Sequence, residues 1–142
     1  MLFVQLLEDD VAFLGEQVAI IGRNDLSDNM RGSDMGGGTV KTIDDLLSST
    51  QLTPEHYSIV LDHQPYDYKN LSGKADLVLS GHTHGGQLIP IRRVGELMGV
   101  NDMTYGHKNM EGTDFIVSSG IADWAICFKT GCKAEYVIID IE

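Results

Sequence analysis

The segment YSIVLDHQPYDYKNLSGKADLVLSGHTHGGQ, residues 57–87, decides how this chain is read. Tyr57 to Asp62 and Asp76 to Ser80 are nearly continuous runs of Ile, Val and Leu, the pattern of strands covered on both faces in a parallel sheet. The 12 residues between them after His63, Gln64 to Ala75, suffice for a short crossover to a parallel neighbour. Both strands then end on one edge of an α/β sheet, and each runs into histidine: His63 after the first, His82 and His84 after the second. That edge, beyond the carboxyl ends of parallel strands, is where such sheets gather ligands.

Working outward, Leu2 to Leu7, Val11 to Leu14 and Val18 to Gly22 are short apolar runs split by acidic or glycine-bearing turns, and they predict a strand meander. The first run has no basic flank and is followed by Glu8, Asp9 and Asp10, so it reads as a strand rather than a signal peptide. Asn24 to Gly38 is a loop by composition; its three glycines lack the Lys and Ser/Thr of a phosphate-binding loop. Thr42 to Ser49 carries Ile43, Leu46 and Leu47 at helical spacing, with Thr42 and Asp45 placed as a capping pair. Leu88 to Gly112 reads as irregular apart from a helical turn near Glu96 to Met98, and Phe115 to Ser118 and Tyr136 to Ile141 read as further strands. No repeat or linker divides the chain, so residues 1–142 are expected to form a single domain.

Ten basic against twenty-one acidic residues give a net charge of −11, which argues against nucleic acid and anionic membrane as partners. The same charge would repel a phosphate ester unless bound cations supplied a positive centre. No apolar run approaches the roughly 20 residues of a transmembrane helix. Cys127 and Cys132 read as free thiols near a turn at Gly131, with a hairpin disulfide as the alternative. Arg23, Asp25, Asp28 and Arg31 read as a solvated charged loop, Arg92 and Arg93 as surface, and Trp124 as core.

The three histidines carry the chemistry. On neighbouring strands the first loop residues sit about 4.8 Å apart, so His63 and His82 can converge on one cation at about 2.1 Å each. His84 falls on the same side as His82 if the backbone stays extended, while Thr83 points away. His56 and His107 have no partner at metal spacing and read as ordinary hydrogen-bonded residues.

Leu61-Asp62-His63-Gln64-Pro65 together with Gly81-His82-Thr83-His84-Gly85-Gly86-Gln87 resembles the last two motifs of the calcineurin-like metallophosphoesterase superfamily. The final Gly-Gly-Gln is most like a bacterial branch of that family. The resemblance implies a C-terminal half of a four-layer α/β/β/α sandwich, with His63 and His82 on one metal of a pair and His84 on the other. It implies two divalent transition-metal ions, Mn, Fe or Zn, and a hydroxide that attacks a phosphomonoester or phosphodiester. The family's Asp-x-His, Gly-Asp and Gly-Asn-His motifs, which supply the remaining ligands and the catalytic acid, occur nowhere in these residues. No catalytic residue is therefore assigned, and the chain is expected to be inactive alone. It is also expected to expose surface through which it forms a homodimer, and to belong to a cytoplasmic protein or one held at a membrane by an absent N-terminal part. Two other readings stay open: a non-catalytic metal-binding or interaction domain, and a mononuclear three-histidine zinc hydrolase.

Overall fold

The structure is a computed structural model that describes residues 4–25, 41–48, 52–89, 93–122 and 128–141. Six strands form one mixed sheet: β1 (Asp10–Leu14), β2 (Val18–Gly22), β3 (Tyr57–Leu61), β4 (Leu77–Ser80), β5 (Gly106–Met110) and β6 (Thr113–Val117). Their spatial order is β1-β2-β3-β4-β6-β5. The four central strands run parallel, with Ile21 opposite Val60, Val60 opposite Val78, and Val78 opposite Phe115. An antiparallel hairpin strand closes each edge, β1 on β2 and β5 on β6. The α/β class and the parallel pairing of β3 and β4 are as the sequence predicts.

Register puts Ile21, Val60, Val78 and Phe115 on one face, and all four are fully buried. Three short helices accompany the sheet: α1 (Ile43–Ser48), α2 (Tyr68–Leu71) and α3 (Val94–Leu97). Ile43 and Leu46 of α1 and Tyr68 and Leu71 of α2 join that face in one core, where the Tyr68 ring stacks on Phe115 at a 4.0 Å centroid distance. The crossover between β3 and β4 thus spends its one helix on covering the sheet. Helix α1 starts where the capping pair sets it: the Asp45 amide donates to Thr42 Oγ1 at 3.1 Å and the Thr42 amide to Asp45 Oδ2 at 3.0 Å.

The opposite face departs from the expectation of two covered faces. Ile20, Ile59, Leu79 and Ile116 are only half-buried among the described residues, and Leu61 is 41% exposed. One helical layer on one sheet is present; a four-layer sandwich is not.

Three further expectations are corrected. Residues 4–7 are not a strand: Asp9 adopts φ 51°, its carboxylate accepts from the Asn24 and Lys41 amides, and the chain ahead of it crosses over Gly22, where Leu7 leaves no room for a Cβ. The segment is thereby turned out of plane, and the ladder starts only at Asp10. Tyr136 to Ile141 is extended but unladdered, because the hairpin strands β1 and β5 already occupy both sheet edges; Tyr136 and Ile138 stay exposed. Gly106 to Met110, read as irregular, is a strand. Glu111 and Gly112, with φ 52° and 88°, form the two-residue turn with both φ positive that matches strand twist and folds β5 onto β6. The expected glycine-rich loop lies outside the described residues beyond Asp25, as do Asp28, Arg31, Arg92, Trp124 and Cys127.

Candidate metal centre

The carboxyl ends of β2, β3 and β4 lie side by side, and the residues that follow them form the site. The ladder continues past the strands: the Arg23 amide donates to the Leu61 carbonyl, the Asp62 amide to Leu79, and the Gly81 amide to His63, at 3.0, 3.0 and 3.2 Å. These bonds hold the start of each loop in register, so His63 and His82 emerge next to each other. His63 Nε2 lies 2.9 Å from His82 Nδ1, with the rings edge-to-face at a 4.8 Å centroid distance.

The loop from His82 onward is not extended. His82 and His84 both take left-handed backbone, φ 61° and 49°, and the Gly86 amide closes a turn onto the Thr83 carbonyl at 2.9 Å. Two non-glycine residues at positive φ store strain, and such strain gathers at functional sites. The left-handed turns send His84 away from the His63–His82 contact, and its Nδ1 approaches the Ala122 carbonyl at 3.3 Å. Thr83 does point away from the ligands, donating to the Thr104 carbonyl at 2.6 Å and so tying the loop to the segment before β5.

The chain's C-terminal part straps this loop in place. The Gln87 carbonyl accepts from the amides of Thr130 and Gly131 at 2.9 and 3.0 Å, and the Gln87 side chain donates to the Phe128 carbonyl at 2.9 Å. Cys132, a free thiol, donates to the His84 carbonyl at 2.8 Å. At Gly85, φ 62°, a Cβ would meet Ser119 Cβ at 2.8 Å and Cys132 Cβ at 2.9 Å, so glycine is required there by both dihedral and space.

Beneath the histidines lies a buried ion pair that a reading of Arg23 as part of a solvated loop misses. Arg23 Nη1 donates to Asp62 Oδ2 at 2.7 Å and Arg23 Nη2 approaches Asp67 Oδ2 at 3.4 Å, with the first two side chains almost fully buried. Burial raises the Asp62 carboxyl to about 6 against the pull of Arg23. The signal in the sequence was positional: Arg23 directly follows Gly22, the end of a parallel strand, as the histidines follow theirs. Asp25, two residues on, brings Oδ2 to 3.7 Å from His63 Nε2.

Desolvation, then the charge of His63 and that of His84, lower the pKa of His82, while Asp25 raises it. A neutral imidazole is the form that binds a cation. Two ring nitrogens facing each other at 2.9 Å therefore fit a metal as donors of the right chemistry, although among the described residues no three His, Cys, Asp or Glu groups stand as a ready-made cage. His56 and His107 are ordinary hydrogen-bonded residues, bound to Thr53 and to Asp114. Arg93 pairs with Glu96.

The chain is 38% identical over 87 residues to a Bos taurus protein named transmembrane protein with metallophosphoesterase domain, a match covering 58% of this chain and 19% of that one. It is 36% identical over 91 residues to an uncharacterized metallophosphoesterase of Campylobacter jejuni, covering 60% and 23%. An uncharacterized metallophosphoesterase of Helicobacter pylori is 42% identical over 83 residues, covering 55% and 21%. The chain thus spans about a fifth of the length of the curated relatives it matches. No protein-family model and no solved structure matches it.

Proposed function

Over more than half of its length this chain is kin to the calcineurin-like metallophosphoesterases, and from that premise we propose that His63, His82 and His84 are its share of a two-metal centre for phosphoester hydrolysis. The observation that carries the reading is the 2.9 Å approach of His63 Nε2 to His82 Nδ1 at the carboxyl edge of parallel strands. His63 and His82 would hold one Mn, Fe or Zn ion and His84 the second. The bound ions supply Lewis acidity towards the phosphoryl oxygens and a nucleophilic hydroxide at neutral pH. They also offset the chain's charge of −11, which otherwise repels a phosphate ester.

The protein's own residues do the positioning. The Arg23–Asp62 pair fixes the strand end from which His63 projects, and the strap from Phe128 to Cys132 holds the strained turn that bears His82 and His84. A bridging aspartate and a histidine acid, which the mechanism needs, have no counterpart motif in these residues. The half-exposed sheet face bearing Leu61, Leu79 and Ile116 suits coverage by a second sheet, as the four-layer sandwich would provide.

Equilibrium dialysis against Mn²⁺ tests the centre. The chain should retain metal, and His63→Ala and His82→Ala should lose it; indifference to both substitutions would sink the assignment. With Mn²⁺ and bis(4-nitrophenyl) phosphate the chain alone should stay near background. Turnover well above background that vanishes in His84→Ala would overturn the half-site reading.

A further inference from the structure

We propose that Asp25 is a direct metal ligand, joining His63 and His82 around one cation to make a set of two imidazoles and one carboxylate. The inference rests on the metal-binding role of those histidines and extends it to a residue from a third strand end. Topology makes the juxtaposition: Asp25 is the third residue after β2, His63 the second after β3, and His82 the second after β4, and these strands are consecutive parallel neighbours.

The atom that Asp25 approaches separates a ligand from a supporting residue. A carboxylate that merely orients a metal-bound histidine bonds the ring nitrogen that does not face the metal. Asp25 Oδ2 instead lies 3.7 Å from Nε2 of His63, the same nitrogen that faces His82 Nδ1 at 2.9 Å. All three donors therefore point into one small volume. Around a cation with bonds of about 2.1 Å, neighbouring donors stand about 3.0 Å apart in an octahedral site and about 3.4 Å apart in a tetrahedral one. The two separations lie on either side of these values, so a few tenths of an ångström of side-chain movement closes the set on an ion.

The competing account is an ion pair between Asp25 and a protonated His63. Both side chains are partly exposed, at 26% and 53%, and a pair in such a setting contributes little. It would also place a charged imidazole against His82. A cation removes that conflict, because both rings then bind as neutral donors. Two histidines and one carboxylate leave coordination positions open, as a site that must admit water or substrate requires.

Titration of the 142-residue chain with Co²⁺ tests the proposal, with visible absorption reporting the coordination sphere and affinity together. Asp25→Asn preserves shape and Asp25→Ala removes the side chain, and circular dichroism confirms that each remains folded. Losing a supporting partner of a metal ligand weakens binding by roughly 10–100-fold, so losing a direct ligand should weaken it by about 100-fold or more and change the Co²⁺ spectrum. Asp114→Asn, on the distant β5–β6 hairpin, should leave both unchanged. Affinity and spectrum like wild type in both Asp25 variants, while His63→Ala and His82→Ala abolish binding, would overturn the role of Asp25 and leave the histidines standing. Binding unaffected by any of these substitutions, or no binding by the wild-type chain, would overturn the histidine reading and this inference with it.

Discussion

At the scale of single residues, the site is built from side chains and dihedrals that tolerate little change. Gly85→Ala introduces a Cβ into contacts of 2.8 and 2.9 Å at a φ of 62°, so both strain and overlap oppose it. A loss of roughly 1–3 kcal/mol in urea denaturation is expected, together with loosened metal binding as the His82 and His84 turn shifts. Asp62 yields a pH prediction. Its carboxyl, raised to about 6 by burial, holds its proton more tightly in the fold than in the unfolded chain. Its contribution to stability is then fully present below the ordinary carboxylate value and is lost as pH rises through about 6. The metal-free chain should gain stability on going from pH 7 to pH 5, and Asp62→Asn should flatten that slope. A carboxyl carbon signal for Asp62 titrating near 4 would contradict it. The histidines were legible because two imidazoles one residue apart, set between glycines after an apolar run, suit the gripping of a cation and little else. Arg23 and Asp25 were not, because a charged residue followed by Asn and Asp looks the same in sequence whether it lies in water or ends a buried strand.

At the scale of elements, legibility followed burial. The strands β2, β3, β4 and β6 announce themselves through apolar side chains, since each must contribute to the core beneath α1 and α2. Strand β5, Gly-His-Lys-Asn-Met, buries almost nothing and is specified by its turn and its backbone pairing with β6, so apolar patterning gives no sign of it. Tyr136 to Ile141 shows the converse, since an apolar run becomes a strand only where an edge is free to receive it. The two faces of the sheet differ in consequence. Ile21 is fully buried on the helix-covered face, and Ile21→Val should cost about 0.5–1.5 kcal/mol. Ile116→Val, on the half-exposed face, should cost clearly less in the same denaturation series. Equal losses would mean that the second face is as tightly packed as the first.

At the scale of the whole molecule, the open question of the fold is what covers that second face and the unladdered tail. Tyr136 and Ile138 are 79% and 75% exposed, and Leu61 and Phe13 of the sheet are themselves more than one-third exposed. Apolar surface of this kind is uncommon on a self-sufficient monomer and marks a place where other chain is buried. It opposes a net charge of −11, whose mutual repulsion keeps copies apart. The balance between them depends on ionic strength. Salt shortens the range of the repulsion to about 10 Å at 0.1 M and about 3 Å at 1 M, while leaving apolar attraction in place. Sedimentation velocity should therefore show self-association that grows with protein concentration and grows again as salt is raised, the reverse of a complex held by ion pairs. Ile138→Lys and Tyr136→Lys should shift the distribution towards monomer without changing the circular dichroism, because neither side chain is packed in the core. A single monomeric species across all concentrations and salts would mean that these apolar residues are tolerated surface, and the case for a covering second layer would fall back on the family likeness alone.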